Sequence, residues 1–282
     1  MSNAGRRKII SRVFEALCLV AVLLALLPLV LILFYVVKQG FGALNFAFFT
    51  QMPKPVGEVG GGMANAIVGT LILIGLAATF AVPVGCICGV HLAEYGGGRL
   101  AFFVRYAADV LNGVPSIVIG IFAYAVVVYP VKRFSAIAGG FALGLLMLPM
   151  VVRTTEELLR LVPPGLREGA LALGATRSRA VRTVILPAAL PGILTGVLVA
   201  LARVAGETAP LLFTSFNNTY FSTRLTQPIA SLTYQVWIYA NSPYDNWHRQ
   251  AWAGAFLLVM LILSLSILAR LAVGRLERMN RP

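Results

Sequence analysis

The sequence predicts an all-α polytopic membrane protein with six transmembrane helices. Three observations carry this. First, 59% of the 282 residues are hydrophobic, only 12% are charged, and mean hydropathy is +0.86. A soluble domain carries about twice that charged fraction, so the apolar surplus needs lipid as its solvent. Second, six apolar stretches reach the roughly 20 residues that a helix needs to cross the hydrocarbon. Third, these stretches are continuously apolar rather than alternating, which argues against β-barrel strands.

The first span, about 15–37, follows a short N-terminal segment, 1–14, and contains LCLVAVLLALLPLVLILFYVV. It is too long for a signal-peptide core and lacks a small-residue cleavage site. Arg6-Arg7 reads as a basic flank rather than a twin-arginine signal. The second span, about 64–92, is long enough to tilt or to extend beyond the bilayer. The third is about 108–129 and the fourth about 136–158. A loop, 162–190, leads to the fifth span, about 190–213. An aqueous segment, 215–250, separates it from the sixth span, about 251–273, and a tail, 274–282, closes the chain.

Charge sets the expected orientation. There are 23 Lys and Arg against 10 Asp and Glu, a net +13. With the N-terminus in the cytoplasm, fifteen basic residues fall on the cytoplasmic side. They are Arg6, Arg7, Lys8, Arg12, Arg99, Arg105, Arg160, Arg167, Arg177, Arg179, Arg182, Arg270, Arg275, Arg278 and Arg281. Six remain outside: Lys38, Lys54, Lys132, Arg133, Arg224 and Arg249. The positive-inside bias therefore places both termini in the cytoplasm. No basic run with interleaved aromatics suggests a nucleic-acid partner. Cys18, Cys86 and Cys88 lie in apolar stretches without a neighbouring histidine and read as small buried hydrophobes.

The loop from Val162 to Ile193 reads VPPGLREGALALGATRSRAVRTVILPAALPGI. Pro163-Pro164 stops the fourth span and suits the first turn of a new helix. Leu166–Leu173 is helix-forming, and Gly174 is placed as a left-handed cap. Thr176 is placed to cap a second helix carrying Arg177, Arg179 and Arg182. Pro187 and Pro191 are expected to break the chain before span five. The outcome is an amphipathic two-helix hairpin outside the membrane, suited to docking.

This loop resembles the EAA loop of ABC-importer permeases. The pattern stands here as Glu168-Gly169-Ala170, then Gly174, then Ile185-Leu186-Pro187. Gly169 replaces the middle alanine, which costs about 1 kcal/mol of helix propensity. The resemblance implies a coupling helix seated in a groove of an ATP-hydrolysing subunit, with ATP and Mg bound there, and no cofactor in this chain. Further segments narrow the likeness: TGVLVALARVAGETAPLLFT (Thr195–Thr214), LNGVPSIVIG (Leu111–Gly120), PMVVRTTEELLRLVP (Pro149–Pro163) and TQPIASLTYQVW. Together, over roughly residues 60–275, they resemble PstA-type permeases of phosphate ABC importers. This implies a type I importer permease fold and inorganic phosphate as cargo. The implied partners are a homologous PstC-type permease, two ATPase copies and an outer phosphate-binding protein that docks on the 215–250 rim.

Intramembrane charge points to the same residues. A charge at mid-bilayer costs about 2.5–3.5 kcal/mol, so such residues face an aqueous path or a protein interior. Arg203 and Glu207 are four apart, hence on one face if the helix continues. Arg153 and Glu156, with Glu157, form a second cluster. Each cluster reads either as a substrate contact or as an ion pair that only ties helices together. Glu157, and Glu156 beside it, are also near enough to the end of their span to reach the interface. The resemblance favours a phosphate path through Arg203, Arg153 and Glu156. Arg offers a planar fork of donors to an oxyanion, and a carboxylate nearby offers the guanidinium an alternative partner. Asn112 and Ser116, beside Pro115, read either as added path donors or as an ordinary proline kink; Pro83 reads the same way. Asp109 is placed at the interface.

The chain contains no G-x-x-x-x-G-K-[ST] loop, so energy must come from another subunit. His91 and His248 are isolated and no catalytic set is apparent. The rival readings are a permease for sulfate or molybdate, a stand-alone channel or secondary transporter, and a purely structural subunit. A secondary transporter usually shows an internal repeat, and none is convincing here.

Overall fold

The computed structural model describes residues 3–58 and 60–279. Residues 1–2 and 280–282, with Arg281 of the expected tail, lie outside the described residues, as do the side chains of Arg6, Lys8, Arg275 and Arg278. The described residues are helical with connecting loops. In order they are α1 (Asn3–Ala43), α2 (Phe46–Thr50), α3 (Ala64–Glu94), α4 (Arg99–Gly113), α5 (Ser116–Ala123) and α6 (Tyr129–Val131), followed by α7 (Ala136–Arg160), α8 (Pro164–Ala172), α9 (Arg177–Ala180), α10 (Leu186–Ala205), α11 (Ala209–Thr214), α12 (Leu232–Ala240) and α13 (Asp245–Met279). Five helices among the described residues are long and apolar enough to cross a membrane. The bent pair α4 with Ser116–Val131 makes six if it counts as one span.

The third span is thus not the straight helix 108–129 that hydropathy suggests. It starts at Arg99 and bends by 108° at Val114-Pro115. Pro115 has no N–H to donate, and it forces Val114 to an extended ψ of 130°. The second half then packs against α11, where Gly120 lets the backbone of Pro210 approach: a Cβ there would sit 2.6 Å from Pro210 Cα.

Small residues let the core helices approach closely, as in other membrane bundles. Along α3 and α7, Leu73 faces Gly139, Leu76 faces Gly140, Phe80 faces Gly144, Gly85 faces Val151 and Gly89 faces Thr155. Partner numbers rise together along both helices, so the two run parallel. A Cβ on Gly89 would lie 2.5 Å from Thr155 Cβ, so the packing leaves no room for one. α10 runs antiparallel to α7, with Gly192 against Leu158 and Gly196 against Thr154. Leu73, Ala77, Leu143, Met147, Val151, Ile193, Val197 and Ala200 belong to the central core these three helices build. α1 packs on α13 and otherwise leaves its apolar side chains exposed, as lipid-facing surface would be.

Two expectations about span five need correction. Pro187 and Pro191 do not break the chain. Helix continues from Arg177 to Ala205: a π turn, Val181–Ile185, with Leu186 N–H bonded to Val181 O, leads into Pro187 in the first turn of α10, and Pro191 lies inside that helix. The real break comes later. α10 ends at Ala205 with Gly206 as its cap, and Pro210 starts the separate α11 in its first turn.

At the opposite end from α8 the loop after α11 is stitched into α7. Ser135, Ala136 and Ile137 N–H groups donate to Thr214 O, Gln227 O and Leu225 O at 3.1, 3.0 and 3.1 Å. The Ser135 hydroxyl caps Ala138 N–H. These partners satisfy donors that a helix start leaves unpaired. A second core, Phe48, Met63, Ala66, Leu232, Tyr239 and Ala253, seals this end.

Candidate functional site

α7 and α4 carry the charge. Glu156 on α7 is 2% exposed and receives Arg105 of α4 at 2.6 Å, Arg160 at 2.7 Å and Arg153 at 3.5 Å. A carboxylate this buried persists because it is paired several times over. Arg153 makes its stronger contact elsewhere. Its Nε and Nη2 donate to the two oxygens of Asp109 at 2.8 and 2.6 Å, a fork-to-fork pair. Asp109 is 52% exposed and Arg153 30%, so this pair borders open space. Three guanidinium groups against two carboxylates leave the cluster one positive charge in excess.

Sequence reasoning missed Arg160 on Glu156, and with it Asp109 and Arg105 on α4. Arg105 was expected in a loop and Asp109 at the interface because the third span was started at 108. Their spacing of four, on a helix that begins at Arg99, is the signal that puts both charges on one face. Asn112 is exposed one turn beyond Asp109, and Ser116 is half-buried across the bend.

The expected Arg203–Glu207 pair does not form. The face-sharing argument requires helix through Glu207, but α10 stops two residues earlier. Arg203 is exposed, with Nη1 3.6 Å from Met150 Sδ, and Glu207 accepts from Thr233 Oγ1 through its backbone carbonyl at 3.0 Å. Met150 and Arg153 stand three apart on α7, so Arg203 lies beside the helical turn that leads to Arg153. The two clusters expected from sequence therefore share one side of the α7–α10 pair, while Glu207 stands apart.

The α8–α9 hairpin forms as its residues dictate. Pro164 opens α8, Glu168 and Gly169 face outward, Ala170 is half-buried, and Gly174 adopts φ +82°. Thr176 accepts from Arg179 N–H and caps α9. Leu166, Leu171 and Leu173 are all exposed, Leu173 at 91%. Pro187 sits half-buried in the first turn of α10. Arg167 ties the hairpin inward, donating to Leu159 O of α7 at 2.6 Å and pairing with Glu94 of α3 at 2.8 Å. Among the described residues no group of three or more His, Cys, Asp or Glu is placed to hold a metal.

Residues 81–281 match the family described as binding-protein-dependent transport system inner membrane component. The chain is 46% identical over 266 residues to the phosphate transport system permease protein PstA of Yersinia pestis, covering 94% of this chain and 90% of that one. It is 42% identical to PstA of Haemophilus influenzae, covering 94% of each chain. Among solved structures, the inward-facing MetNI methionine ABC transporter matches with a TM-score of 0.59 at 20% identity, over 76% of this chain and 94% of that one. An amino acid ABC transporter with histidines gives 0.58 at 21% identity, over 76% and 92%. Those two likenesses show the fold, that of type I ABC-importer permeases. With 201 matched residues inside one family and curated relatives along nearly its whole length, the chain belongs to the binding-protein-dependent transport system inner membrane components, among the PstA permeases.

Proposed function

We propose that this chain is the permease subunit of an ATP-driven inorganic phosphate importer, forming half of the translocation path. The relatives named for phosphate transport support the cargo. The observation that carries the chemistry is the Asp109–Arg153 fork. A carboxylate there holds the two-oxygen geometry that a phosphate oxyanion would take on the same guanidinium. Arg203, with no carboxylate ion pair among the described residues, is the first guanidinium offered to the anion. Arg153 is the second, and Asp109 is the internal anion that competes for it. Binding is then an exchange of anions on one fork, which avoids trapping phosphate on a bare arginine. Glu156 holds Arg105, Arg160 and the flank of Arg153 in place. Asn112 and Ser116 add polar groups beside the bend.

In this reading α8 and both termini face the cytoplasm, as the charge bias supports. Exposed Leu166, Leu171 and Leu173 dock with Glu168, Gly169, Ala170 and Gly174 into an ATPase groove. Two such ATPase subunits bind ATP and Mg and supply the energy. A PstC-type permease completes the path, and a phosphate-binding protein docks on the 215–250 side.

The test is labelled-phosphate uptake in cells lacking their own high-affinity system, with this chain and its partners restored. Uptake that ignores excess sulfate and molybdate and vanishes with an ATPase-dead partner is expected. Suppression by those anions would move the cargo to another oxyanion. Uptake indifferent to the ATPase would end the importer reading.

A further inference from the structure

The last turn of α3 sits between the coupling hairpin and the charge cluster. On one side, Arg167 of α8 pairs with the Glu94 carboxylate, which is 4% exposed, while Arg177 of α9 donates to the Glu94 carbonyl and lies 4.8 Å over the Tyr95 ring. On the other side, Arg105 of α4 donates to Leu92 O at 3.0 Å and Gly96 O at 3.3 Å, with Nε on Glu156. These carbonyls belong to the helix end, where unpaired C=O groups and the macrodipole favour cations. Three arginines from three other helices thus converge on Leu92–Gly96.

The loop side of this junction is not locked. Glu94 Oε1 and Arg167 Nε are both buried without a well-directed hydrogen bond, and they line a small cavity with Leu171 and Arg177. The 2.8 Å approach is a charge contact set off the donor axis. Such a contact holds α8 strongly by charge yet tolerates rotation of the helix about it, whereas Arg167 also grips the end of α7 through Leu159 O.

We propose that Glu94 is a positioning residue that couples the hairpin to the transport path: displacement of α8 is passed through Arg167 to the end of α3, and from there through Arg105 to Glu156. This rests on the importer reading above. Glu94 contacts neither cargo nor nucleotide in it. Its loss disconnects two working parts.

The experiment uses the complete complex in lipid vesicles, reading phosphate moved per ATP hydrolysed and the stimulation of hydrolysis by the binding protein. Glu94→Gln and Arg167→Gln are each expected to lower phosphate per ATP by at least about fivefold, the lower end of ordinary coupling between sites. The double variant is expected to be no worse than either single one, and Glu94→Asp to recover most of the ratio. Amide hydrogen exchange across 164–172 is expected to quicken in Glu94→Gln, a readout that needs no cargo. A normal ratio in Glu94→Gln, or single losses that multiply in the double variant, overturns the inference. Should Glu94→Gln fail to assemble, Arg167→Gln is read alone, and a normal ratio there overturns it equally. A wild-type complex that responds to its binding protein but moves a different anion refutes the phosphate reading instead, and the ratio is then scored with that anion.

Discussion

Asp109 and Arg153 meet through two parallel hydrogen bonds, 2.8 and 2.6 Å long, although 44 residues separate them in sequence. The pair forms because the bend at Val114-Pro115 leaves α4 lying along α7. An exchange role makes a specific demand. Asp109→Asn should tighten apparent phosphate binding and slow turnover, each by about tenfold, since a charge-assisted bond is worth about 1.5–3 kcal/mol. Initial uptake rates against phosphate concentration separate the two effects. A variant with unchanged KM and maximal rate rules the exchange out.

Glu156 behaves differently because it is buried. Glu156→Gln leaves Arg105, Arg153 and Arg160 without their shared carboxylate. Breaking a buried ion pair from one side costs about 3–5 kcal/mol. Thermal unfolding in detergent should therefore show a large loss for Glu156→Gln and a much smaller one for Glu156→Asp.

The α3–α7 seam predicts a contrast between two glycines of one helix. Gly89→Ala drives a methyl to 2.5 Å from Thr155 Cβ, and overpacking of this kind costs about 1–3 kcal/mol. Gly75→Ala meets nothing within 4 Å and should be neutral or stabilise by about 0.5–1 kcal/mol. Thermal stability of the two variants side by side decides the matter.

The α8–α9 hairpin gives a second contrast. Gly174→Ala must hold φ near +82°, which costs a β-carbon about 1–2 kcal/mol. Gly169→Ala enters open space inside α8 and should firm that helix by about 1 kcal/mol. Slower amide exchange in α8 for Gly169→Ala, and faster exchange for Gly174→Ala, is expected.

Alkaline pH should loosen the end built on α12. Burial pushes the Tyr239 phenol above its ordinary value, with a hydrogen bond to Gln235 opposing in part, and burial raises Tyr234 as well. A raised folded-state value favours the protonated form. The stability it contributes is complete below the unfolded value of about 10 and is lost as pH rises through the folded value. Stability measured from pH 8 upward should fall in the wild type and fall less in Tyr239→Phe.

Much of this was legible in the sequence because membrane helices announce themselves by length and composition. The hairpin was legible too: Pro164, Gly174 and Thr176 act through their own backbone, so local reasoning reached them. What escaped was tertiary. Nothing near Pro187 says that a π turn will carry the helix past it. Arg203 and Glu207 share a face only on a helix that Gly206 and Pro210 interrupt. Asp109 finds Arg153, and Glu94 finds Arg167, only after the chain has folded back on itself.

α7 is also anchored at both ends. Its first N–H groups are held by the loop at 215–231 and its last turn by Arg167 through Leu159 O. At 1.5 Å per residue its 25 residues span about 37 Å. Axial force applied to that loop therefore travels down a hydrogen-bonded rod with little compression. Pro149, which leaves the carbonyl of Leu145 without its usual donor, is a point where that rod yields to bending. α7 thus joins the 215–231 loop to the α8 hairpin in one continuous helix, with a point of easier bending one turn from Arg153.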